Sequence, residues 1–599
     1  MTRQNYTKII VAALCGTAGI YSTSAETTSK QPNVIIIITD DQGYGDYGFN
    51  GNKYLNTPNT DKLFSESYCF DNFHTGTTSA PTRSGIMTGR YGNTTGVWHT
   101  IQGRSIMSLD EYTLAQAFKN NHYVTAMFGK WHLGDNYPYR PEHRGFDLAF
   151  MHNGGGVGQT PDYWGNSYFD DVYFRNGIAE KVEGYCTDVW FREAEKFISA
   201  TKGKPFFCYL STNAPHFPYN VEEKYAVQYR NNPDIVVPEF YGMISNIDEN
   251  VGKLRELLVK LGLDKNTVII YMGDNGSAAG SNINRDGFVM TGYNGGLRGK
   301  KSSQYEGGHR QPLIFHIPDK KHQIVDKLTG YIDIMPTLIE MCSLKLPHTV
   351  DFDGEDMFKN MSDTTRMLFV DTQRNEFLKK HNKYCVMQGD WRLIDGKELY
   401  NIQLDKEQRN NIFTNYPEIT KRLSEGYEQW WTRTAVRAEQ HQYIPVSTGK
   451  KKSHVFLNCH DCHDSLNRKL AYDQTLVRAA LKQYPVYWAI NVPEDGVYNI
   501  ELYRWPLESG LDFKAAAPQG KEIPNGKAYL EGVKITNIVS ASISFNGKTT
   551  TKKVNAEGVK AIRFANVKVK KGDYFFKALI EDSKGEQQGV YYVKFKTLK

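Results

Sequence analysis

The run Val34-Ile35-Ile36-Ile37-Ile38, followed by Thr39-Asp40-Asp41, decides the fold of this chain of 599 residues. Five consecutive β-branched residues predict a strand buried on both faces, because a strand with one wet face would alternate apolar and polar residues. Later runs of the same character are Val124 to Phe128, Phe206 to Leu210 and Val268 to Met272. Apolar residues at helical spacing from Tyr241 to Leu258 add a helix, so we expect an α/β sandwich with a mostly parallel central sheet.

Polar side chains that can do chemistry follow each of these strands. In chain order they are Asp40 and Asp41, Lys130 and His132, His216, and Asp274 and Asn275. Because parallel strands end at one edge of a sheet, and ligands of open α/β sheets bind at that edge, we expect these side chains to converge. The sequence therefore predicts one site built from segments that lie far apart in the chain.

Two of these pairs, Asp40-Asp41 and Asp274-Asn275, would supply only oxygen ligands. Hard oxygen donors select calcium, with magnesium as the alternative, over zinc, which prefers His or Cys. For a single Asp-Asp pair, a turn or a helix cap is the simpler interpretation. Two such pairs at equivalent strand ends favour a divalent metal site.

The stretch Ser79-Ala80-Pro81-Thr82-Arg83 precedes Ser84-Gly85-Ile86-Met87-Thr88-Gly89-Arg90. Pro81 suits the first turn of a helix, which places Ser79 at the N-terminus, where free amide hydrogens and the helix dipole favour an anion. The alternative is that Ser79 simply caps the helix. The residues alone leave both interpretations open.

This stretch resembles the signature of the formylglycine-dependent sulfatases, Cys or Ser-x-Pro-x-Arg followed by Thr-Gly-Arg. Asp40-Asp41-Gln42-Gly43 resembles the first metal motif of that family, and the other matching motifs follow in the expected order up to about residue 440. They are Gly129-Lys130-Trp131-His132-Leu133-Gly134, Ala214-Pro215-His216-Phe217-Pro218, Gly273-Asp274-Asn275-Gly276 and Leu297 to Gly308, in which the family's lysine falls on Lys301. The resemblance implies the alkaline-phosphatase/sulfatase fold.

The resemblance also implies a role for each matching residue. Ser79 would be oxidised to formylglycine, whose hydrated aldehyde attacks sulfur, and a second hydroxyl on the hydrate lets sulfate leave without attack by water. The implied metal ligands are Asp40, Asp41, Ser79, Asp274 and Asn275. The implied catalytic residues are Ser79, Arg83, Lys130, His132, His216 and Lys301. Here Arg83 positions the formylglycine, and the lysines and histidines neutralise charge on the sulfuryl group, with His216 a candidate acid and His132 a candidate base.

A serine rather than a cysteine at position 79 implies a particular maturation route. By resemblance, an anaerobic serine-type sulfatase-maturating enzyme would convert Ser79 before export. The N-terminus predicts that export, because Arg3 and Lys8 precede a short apolar run and small residues end at Ala25. We therefore predict a signal peptide over residues 1–25 and a periplasmic or secreted product.

The chain is too long for a single hydrophobic core, and its pattern changes twice. We expect a catalytic α/β domain over residues 26–345 and a smaller α+β subdomain over residues 346–445. A β-rich domain should follow over residues 446–599. The subdomain should hold a strand from Tyr384 to Ile394 and a helix from about Pro417 to Arg437, and the β-rich domain a strand from Lys527 to Leu530.

Composition excludes some classes of protein. A net charge of +6 is too small to argue for a nucleic-acid partner, and no segment after the signal is long and apolar enough to span a membrane.

Cys459-His460-Asp461-Cys462-His463 spells a covalent haem motif. Sulfate hydrolysis needs no electron carrier, however, so a local disulfide or free thiols is the preferred interpretation.

The sequence favours a sulfatase acting on a sulfated glycan. Sequences with a stretch comparable to Gly154 to Trp164 resemble enzymes acting on sulfated galactose or N-acetylgalactosamine of host or algal glycans. Candidates to line the sugar site are Trp98, Tyr163 and Trp164. The alternative is that these aromatic residues only pack the loop. Other hypotheses are a phosphatase or phosphodiesterase of the same superfamily and a glycan-binding protein without activity. The lysines and the full Ser79 motif argue against the phosphatase, and the filled catalytic positions argue against the inactive binding protein.

Overall fold

The computed structural model describes residues 31–449, 453–535 and 537–598. The predicted signal peptide over residues 1–25 lies outside the described residues. No helix in the described part of the chain is long and apolar enough to cross a membrane. Residues Pro32–Lys599 form one compact unit.

The first part of the chain alternates strands and helices. Its strands are β1 (Asn33–Thr39), β2 (Tyr68–His74), β3 (Val124–Lys130), β4 (Leu148–His152), β5 (Val172–Arg175), β6 (Ile178–Lys181), β7 (Phe206–Ser211), β8 (Thr267–Gly273), β9 (Ser281–Ile283), β10 (Val289–Gly292), β11 (Arg310–His316), β12 (Gln323–Val325) and β13 (Thr329–Gly330). Its helices are α1 (Pro58–Ser65), α2 (Ser79–Thr88), α3 (Gly92–Thr95), α4 (Leu114–Asn120), α5 (Cys186–Ala200), α6 (Glu223–Ala226), α7 (Pro238–Leu261), α8 (Glu306–His309) and α9 (Ile334–Met341).

The central sheet follows the order β12-β2-β11-β8-β1-β7-β3-β4-β5-β6, and β13 pairs with β2. The strands β8, β1, β7, β3 and β4 are mutually parallel, whereas β11 runs antiparallel to β8 and β2. This confirms the expected α/β fold with a mostly parallel sheet. The four strands predicted from apolar runs are β1, β3, β7 and β8, and the predicted helix lies within α7.

Alternate residues of β1 pack into two different cores, which is why the run carries no polar residue. Val34, Ile36 and Ile38 face one core, together with α4 and α9. Ile35 and Ile37 face the other, with α5 and α7. A strand between two helical layers is dry on both faces, and that requirement accounts for five apolar residues in a row.

The second part of the chain adds an antiparallel sheet beside the first core. Its elements are β14 (Met367–Asp371), β15 (Tyr384–Gln388), β16 (Trp391–Ile394), β17 (Glu398–Asn401) and α10 (Pro417–Thr434). The single strand predicted from Tyr384 to Ile394 is wrong, because Gly389 takes a positive φ of 50° and turns the chain into a hairpin of β15 and β16. Side chains of this sheet share the core that contains Val34.

The last part of the chain is a β sandwich. Its elements are β18 (Ile444–Pro445), β19 (His454–Asn458), α11 (Gln474–Arg478), β20 (Trp488–Val492), β21 (Gly496–Tyr503), β22 (Ile538–Phe545), β23 (Lys548–Lys553), β24 (Ile562–Val569), β25 (Gly572–Asp582), β26 (Gln587–Gly589) and β27 (Tyr592–Thr597). One sheet has the order β18-β20-β25-β22-β23 with β26 on β25, and the other has the order β19-β27-β21-β24. Phe576 of the first sheet and Phe595 of the second pack with ring centroids 5.0 Å apart in a shared core.

The strand predicted from Lys527 to Leu530 is wrong. The segment is irregular, because Tyr529 makes its contacts with a loop of the first region rather than with a neighbouring strand. The domain boundaries at 345 and 445 stay predictions. Below, the sandwich with its loops, residues 446–599, is called the β-rich region.

Candidate active site

The predicted site residues meet at the carboxyl edge of the parallel strands. The registers Thr39↔Gly273 and Gly129↔Ser211 bring the ends of β1, β8, β3 and β7 level. Asp41, Ser79, Lys130, His132, His216 and Lys301 border one cavity of about 620 Å³. The other four, Asp40, Arg83, Asp274 and Asn275, are buried and contact residues of this set.

Ser79 is the first residue of α2 and is 1% exposed. Its Oγ lies 2.9 Å from Asp40 Oδ1 and 3.3 Å from Asn275 Oδ1. The interpretation of Ser79 as the helix cap is wrong, because Thr78 occupies the cap position and the Ser79 hydroxyl points at side chains from two strand ends instead. The helix start therefore directs this side chain into the site.

Arg83 follows Ser79 by four residues and so lies on the same face of α2. Its Nη2 donates to Asp274 Oδ2 at 2.7 Å and its Nε donates to the same oxygen at 3.2 Å. Nη1 donates to Ser211 Oγ, and Asp40 Oδ1 is 3.8 Å from Nη2. Burial alone would lower the pKa of the guanidinium, but the charge of Asp274 outweighs burial and raises the pKa. Arg83 thus ties the helix to two carboxylates.

The buried carboxylates of Asp40, Asp41 and Asp274 have oxygens within 4.8 Å of one another. Lys130 Nζ contacts Asp40 Oδ2 at 2.7 Å, and Lys301 Nζ contacts Asp41 Oδ1 at 2.5 Å. Burial would raise the pKa of both Asp40 and Asp41, but the neighbouring lysines and His216 outweigh it and leave both pKa values lowered. Three carboxylates at this spacing fit a hard divalent cation.

Two non-glycine residues in the site adopt left-handed backbone conformations. Asp41 has φ 72° and His132 has φ 61°. Such conformations cost about 1–3 kcal/mol each and cluster where function over-determines the backbone. Asp41 is held there by its own N–H, which donates to Asp274 Oδ1 at 3.0 Å, and by Asn275 Nδ2, which donates to its side chain at 2.9 Å.

The two histidines use different ring nitrogens for their hydrogen bonds to the backbone. His132 Nε2 donates to the carbonyl of Thr100 at 2.8 Å, which leaves Nδ1 unprotonated and without a hydrogen-bond partner among the described residues. Burial, reinforced by the charge of Lys130, holds the pKa of His132 well below its usual range. His216 Nδ1 donates to Phe217 O at 2.6 Å, and its Nε2 lies 3.8 Å from Asp41 Oδ2.

The aromatic residues expected around a sugar are not the ones in the cavity wall. Trp164 packs on Trp505 at 5.3 Å, and Trp98 stacks under the Arg104 guanidinium at 4.6 Å. Neither these residues nor Tyr163 borders the cavity, so packing of the loop was the correct interpretation for them. Gly155 to Gln159 of the same loop do line the cavity.

The sequence missed the outer wall of the cavity. Its residues there are Arg374, Tyr472, Asp473, Thr475, Leu476 and Lys527 to Leu530. No motif or strand end marks them, and all except Arg374 belong to the β-rich region, so their approach depends on how that region docks. Cys459 and Cys462 are free and buried, so of the alternatives for this pair the free thiols hold.

Comparison with known proteins shows that the chain belongs to the sulfatase family. The family model described as Sulfatase matches residues 32–343. Arylsulfatase G of Rattus norvegicus is 31% identical over 380 residues, covering 56% of this chain and 70% of its own length. N-acetylgalactosamine-6-sulfatase of Mus musculus is 29% identical over 358 residues, and the match covers 55% of this chain and 66% of that protein. The solved structure titled Ps i-CgsB in complex with k-i-k-neocarrahexaose is 26% identical with a TM-score of 0.60, and the match covers 69% of this chain and 94% of that one.

Proposed function

Because this chain belongs to the sulfatase family, we propose that it removes sulfate from carbohydrates through Ser79. Within that family it is a type I sulfatase of the alkaline-phosphatase-like superfamily, and hence a sulfuric ester hydrolase. The observation that carries the proposal is the position of Ser79 Oγ. It lies against Asp40 and Asn275 at the inner end of the cavity, with Lys130 and Lys301 beside it.

We propose that Ser79 acts after conversion to formylglycine, so the encoded serine is a precursor. The hydrated aldehyde then carries one hydroxyl that attacks sulfur and a second whose deprotonation expels sulfate. A divalent cation held by Asp40, Asp41, Asp274, Asn275 and the modified residue, calcium or alternatively magnesium, would polarise sulfate oxygens and lower the pKa of the hydrate. The buried carboxylate cluster supports this assignment.

The charged residues around Ser79 have separate tasks in this proposal. Arg83 donates a hydrogen bond to Asp274 and so holds that carboxylate in place beside the modified residue. Lys130 and Lys301 both border the cavity, each beside a different carboxylate, and neutralise charge that develops on the sulfuryl group. Their contacts with Asp40 and Asp41 hold both ammonium groups in place before substrate arrives.

The histidines divide the proton transfers. His132 Nδ1 is a free acceptor on a ring kept neutral by burial, which suits a base for the hydrate's second hydroxyl. His216 lies beside Asp41 at the cavity wall and is the group we assign as acid for the leaving sugar oxygen. Burial lowers the pKa of His216, and the charges of Asp41 and Asp40 oppose that effect without cancelling it.

The substrate we propose is sulfated galactose or N-acetylgalactosamine within a glycan. The names of an N-acetylgalactosamine-6-sulfatase relative and of a structure in complex with k-i-k-neocarrahexaose support a carbohydrate substrate. A cavity of about 620 Å³ lies within the usual range for small-ligand sites. We further propose maturation by a serine-type anaerobic enzyme and a periplasmic or secreted location.

The test is turnover by protein in which mass spectrometry has quantified formylglycine at position 79. We expect desulfation of defined sulfated monosaccharides in proportion to that fraction, and much slower cleavage of matched phosphate esters. Ser79→Ala should lower kcat/KM by at least about four orders of magnitude, whereas the control Ser65→Ala, at an exposed position of α1, should not. Full activity in protein whose Ser79 is unmodified would refute the mechanism, and a preference for phosphate would refute the function.

A further inference from the structure

The outer end of the active-site cavity is built by the β-rich region, beyond residue 343 where the family match ends. Two of its segments form the wall. The first runs from Tyr472 to Leu476 and the second from Lys527 to Leu530. This wall and the residues at the strand ends border the same cavity.

Backbone hydrogen bonds fix the first segment to the loop that covers the histidines. Thr160 N donates to Tyr472 O at 2.9 Å, and Gln474 N donates to Gly158 O at 2.9 Å. The same loop touches the catalytic side, because a Cβ on Gly155 would lie 2.4 Å from the His132 ring. The wall is therefore held in register with the site rather than loosely apposed to it.

A side-chain contact fixes the second segment to the same loop. Tyr529 Oη donates to Asn166 O at 2.9 Å, and Gly520 N donates to Tyr529 O at 2.9 Å. Lys527 precedes Tyr529 by two residues and borders the cavity. Its position is thus anchored although its own side chain is exposed.

The cations at the two ends of the cavity differ in pairing. At the inner end Lys130 and Lys301 each contact a carboxylate. At the outer end, Arg374 makes its side-chain hydrogen bond to the neutral Ser302 hydroxyl at 3.4 Å. Lys527 has no hydrogen bond or ion pair within the described residues, so both outer cations are free to bind an anion.

The acid at the outer end does not cancel these charges. Asp473 accepts a hydrogen bond from Leu476 N at 2.9 Å and caps α11. Burial raises the pKa of Asp473. Neither Arg374 nor Lys527 contacts it within 4.0 Å among the described residues.

We propose that Lys527 and Arg374 form a second anion subsite, which binds a further sulfate or carboxylate group carried by the same substrate. The preferred substrate is then a glycan with at least two anionic groups, one at Ser79 and one at the outer wall. This inference rests on the proposed function, because it assumes that the first anion is the sulfate ester at Ser79.

Binding to Ser79→Ala protein tests the subsite without turnover. Calorimetry in calcium buffer would compare one monosulfated galactoside with two analogues, one carrying a second sulfate and one linked to a uronic acid. We expect Lys527→Gln and Arg374→Gln each to raise the Kd of an analogue with a second anion by about 10- to 100-fold. The Kd of the monosulfated sugar should change by less than about twofold. The control Lys548→Gln, at an exposed site in β23, should change none of them.

The two analogues identify which anion is recognised. A loss confined to the disulfated sugar assigns a sulfate subsite, and a loss confined to the uronic acid assigns a carboxylate subsite. Equal Kd values for all three sugars, or an equal effect of Lys527→Gln on all three, would overturn the proposal. Failure of the proposed function would appear separately, as absence of desulfation by formylglycine-bearing wild-type protein.

Discussion

At its inner end the cavity is built from strand ends and the start of α2, whereas its outer end is built from loops of the β-rich region. Inner groups such as Asp40 and Arg83 are fully buried, and each contacts an opposite charge. Outer groups such as Lys527 are exposed and have no ion-pair partner in the part of the chain that the structure describes. The inner end can therefore stabilise one charged arrangement, while the outer end leaves charge available for substrate.

This difference also separates two kinds of cost. Buried charges in low dielectric are stable only with their partners, so the inner end should tolerate no single removal. Exposed charges cost little to remove, so changes at the outer end should alter recognition and leave folding intact. Three further predictions compare the two ends, from the largest expected effect to the smallest.

The largest effect is expected at the pair of Arg83 and Asp274. Asp274→Asn removes the carboxylate that the buried guanidinium contacts at 2.7 Å and leaves only the Asp40 contact at 3.8 Å, which should lower the free energy of unfolding by about 3–5 kcal/mol. The control is Asp495→Asn, which breaks the exposed pair with Lys570 at 2.7 Å and should change stability by no measurable amount. Denaturant unfolding with chelator present measures both and excludes lost metal binding. Equal stability of the two variants would contradict the contrast between buried and exposed charge.

The inner end was predictable from sequence because strand ends carry a strong local signal. An unbroken apolar run predicts a doubly buried strand, and parallel strands end together, so Asp40, Lys130 and Asp274 could be placed before any contact was known. The resemblance then added Ser79, Arg83 and Lys301. The structure brings all of these together at one edge of the sheet.

The outer end was not predictable, since its residues reach the cavity through tertiary docking. Lys527 to Leu530 alternate as a strand would, but Tyr529 is used to hold the loop at Asn166. Likewise, the aromatic residues expected at the sugar became packing residues, because Trp164 lies under Trp505 and Arg478 of the β-rich region. Periodicity cannot show which surface another region will cover.

A middle-sized effect is expected where the two ends are joined. Gly158 has φ 83°, and a Cβ there would lie 2.1 Å from Tyr529 Oη. Gly158→Ala should therefore cost about 1–3 kcal/mol of stability. Combining it with Tyr529→Phe removes the hydroxyl and should recover part of that cost, as a double-mutant cycle would measure. Gly203→Ala, with similar φ and open space, is the control for backbone strain alone. Identical costs for both glycines would show that the Tyr529 contact does not hold the loop.

The smallest effect concerns protonation beside the inner wall. His99 Nδ1 accepts a hydrogen bond from Thr100 N at 2.7 Å, so protonating that nitrogen would break the bond. Burial, helped by the charge of Arg374, lowers the pKa of His99 from 6.5 to about 3. Below pH 6.5, His99 binds a proton in the unfolded chain but stays neutral in the folded chain. The contribution of neutral His99 to the free energy of unfolding is therefore fully present above pH 6.5 and is lost as the pH decreases towards 3.

His99→Asn isolates that contribution, because every other titrating group is common to both proteins. Between pH 6.5 and 4.5 the unfolding free energy of the wild type should fall more steeply than that of the variant, by up to about 1.4 kcal/mol per pH unit. The matched control His348→Gln, at an exposed position, should leave the wild-type slope unchanged. Denaturant unfolding across this pH range gives both slopes. A His99→Asn slope equal to that of the wild type would mean that His99 is accessible to protons in the folded state, and that the inner wall is not dry behind Thr100.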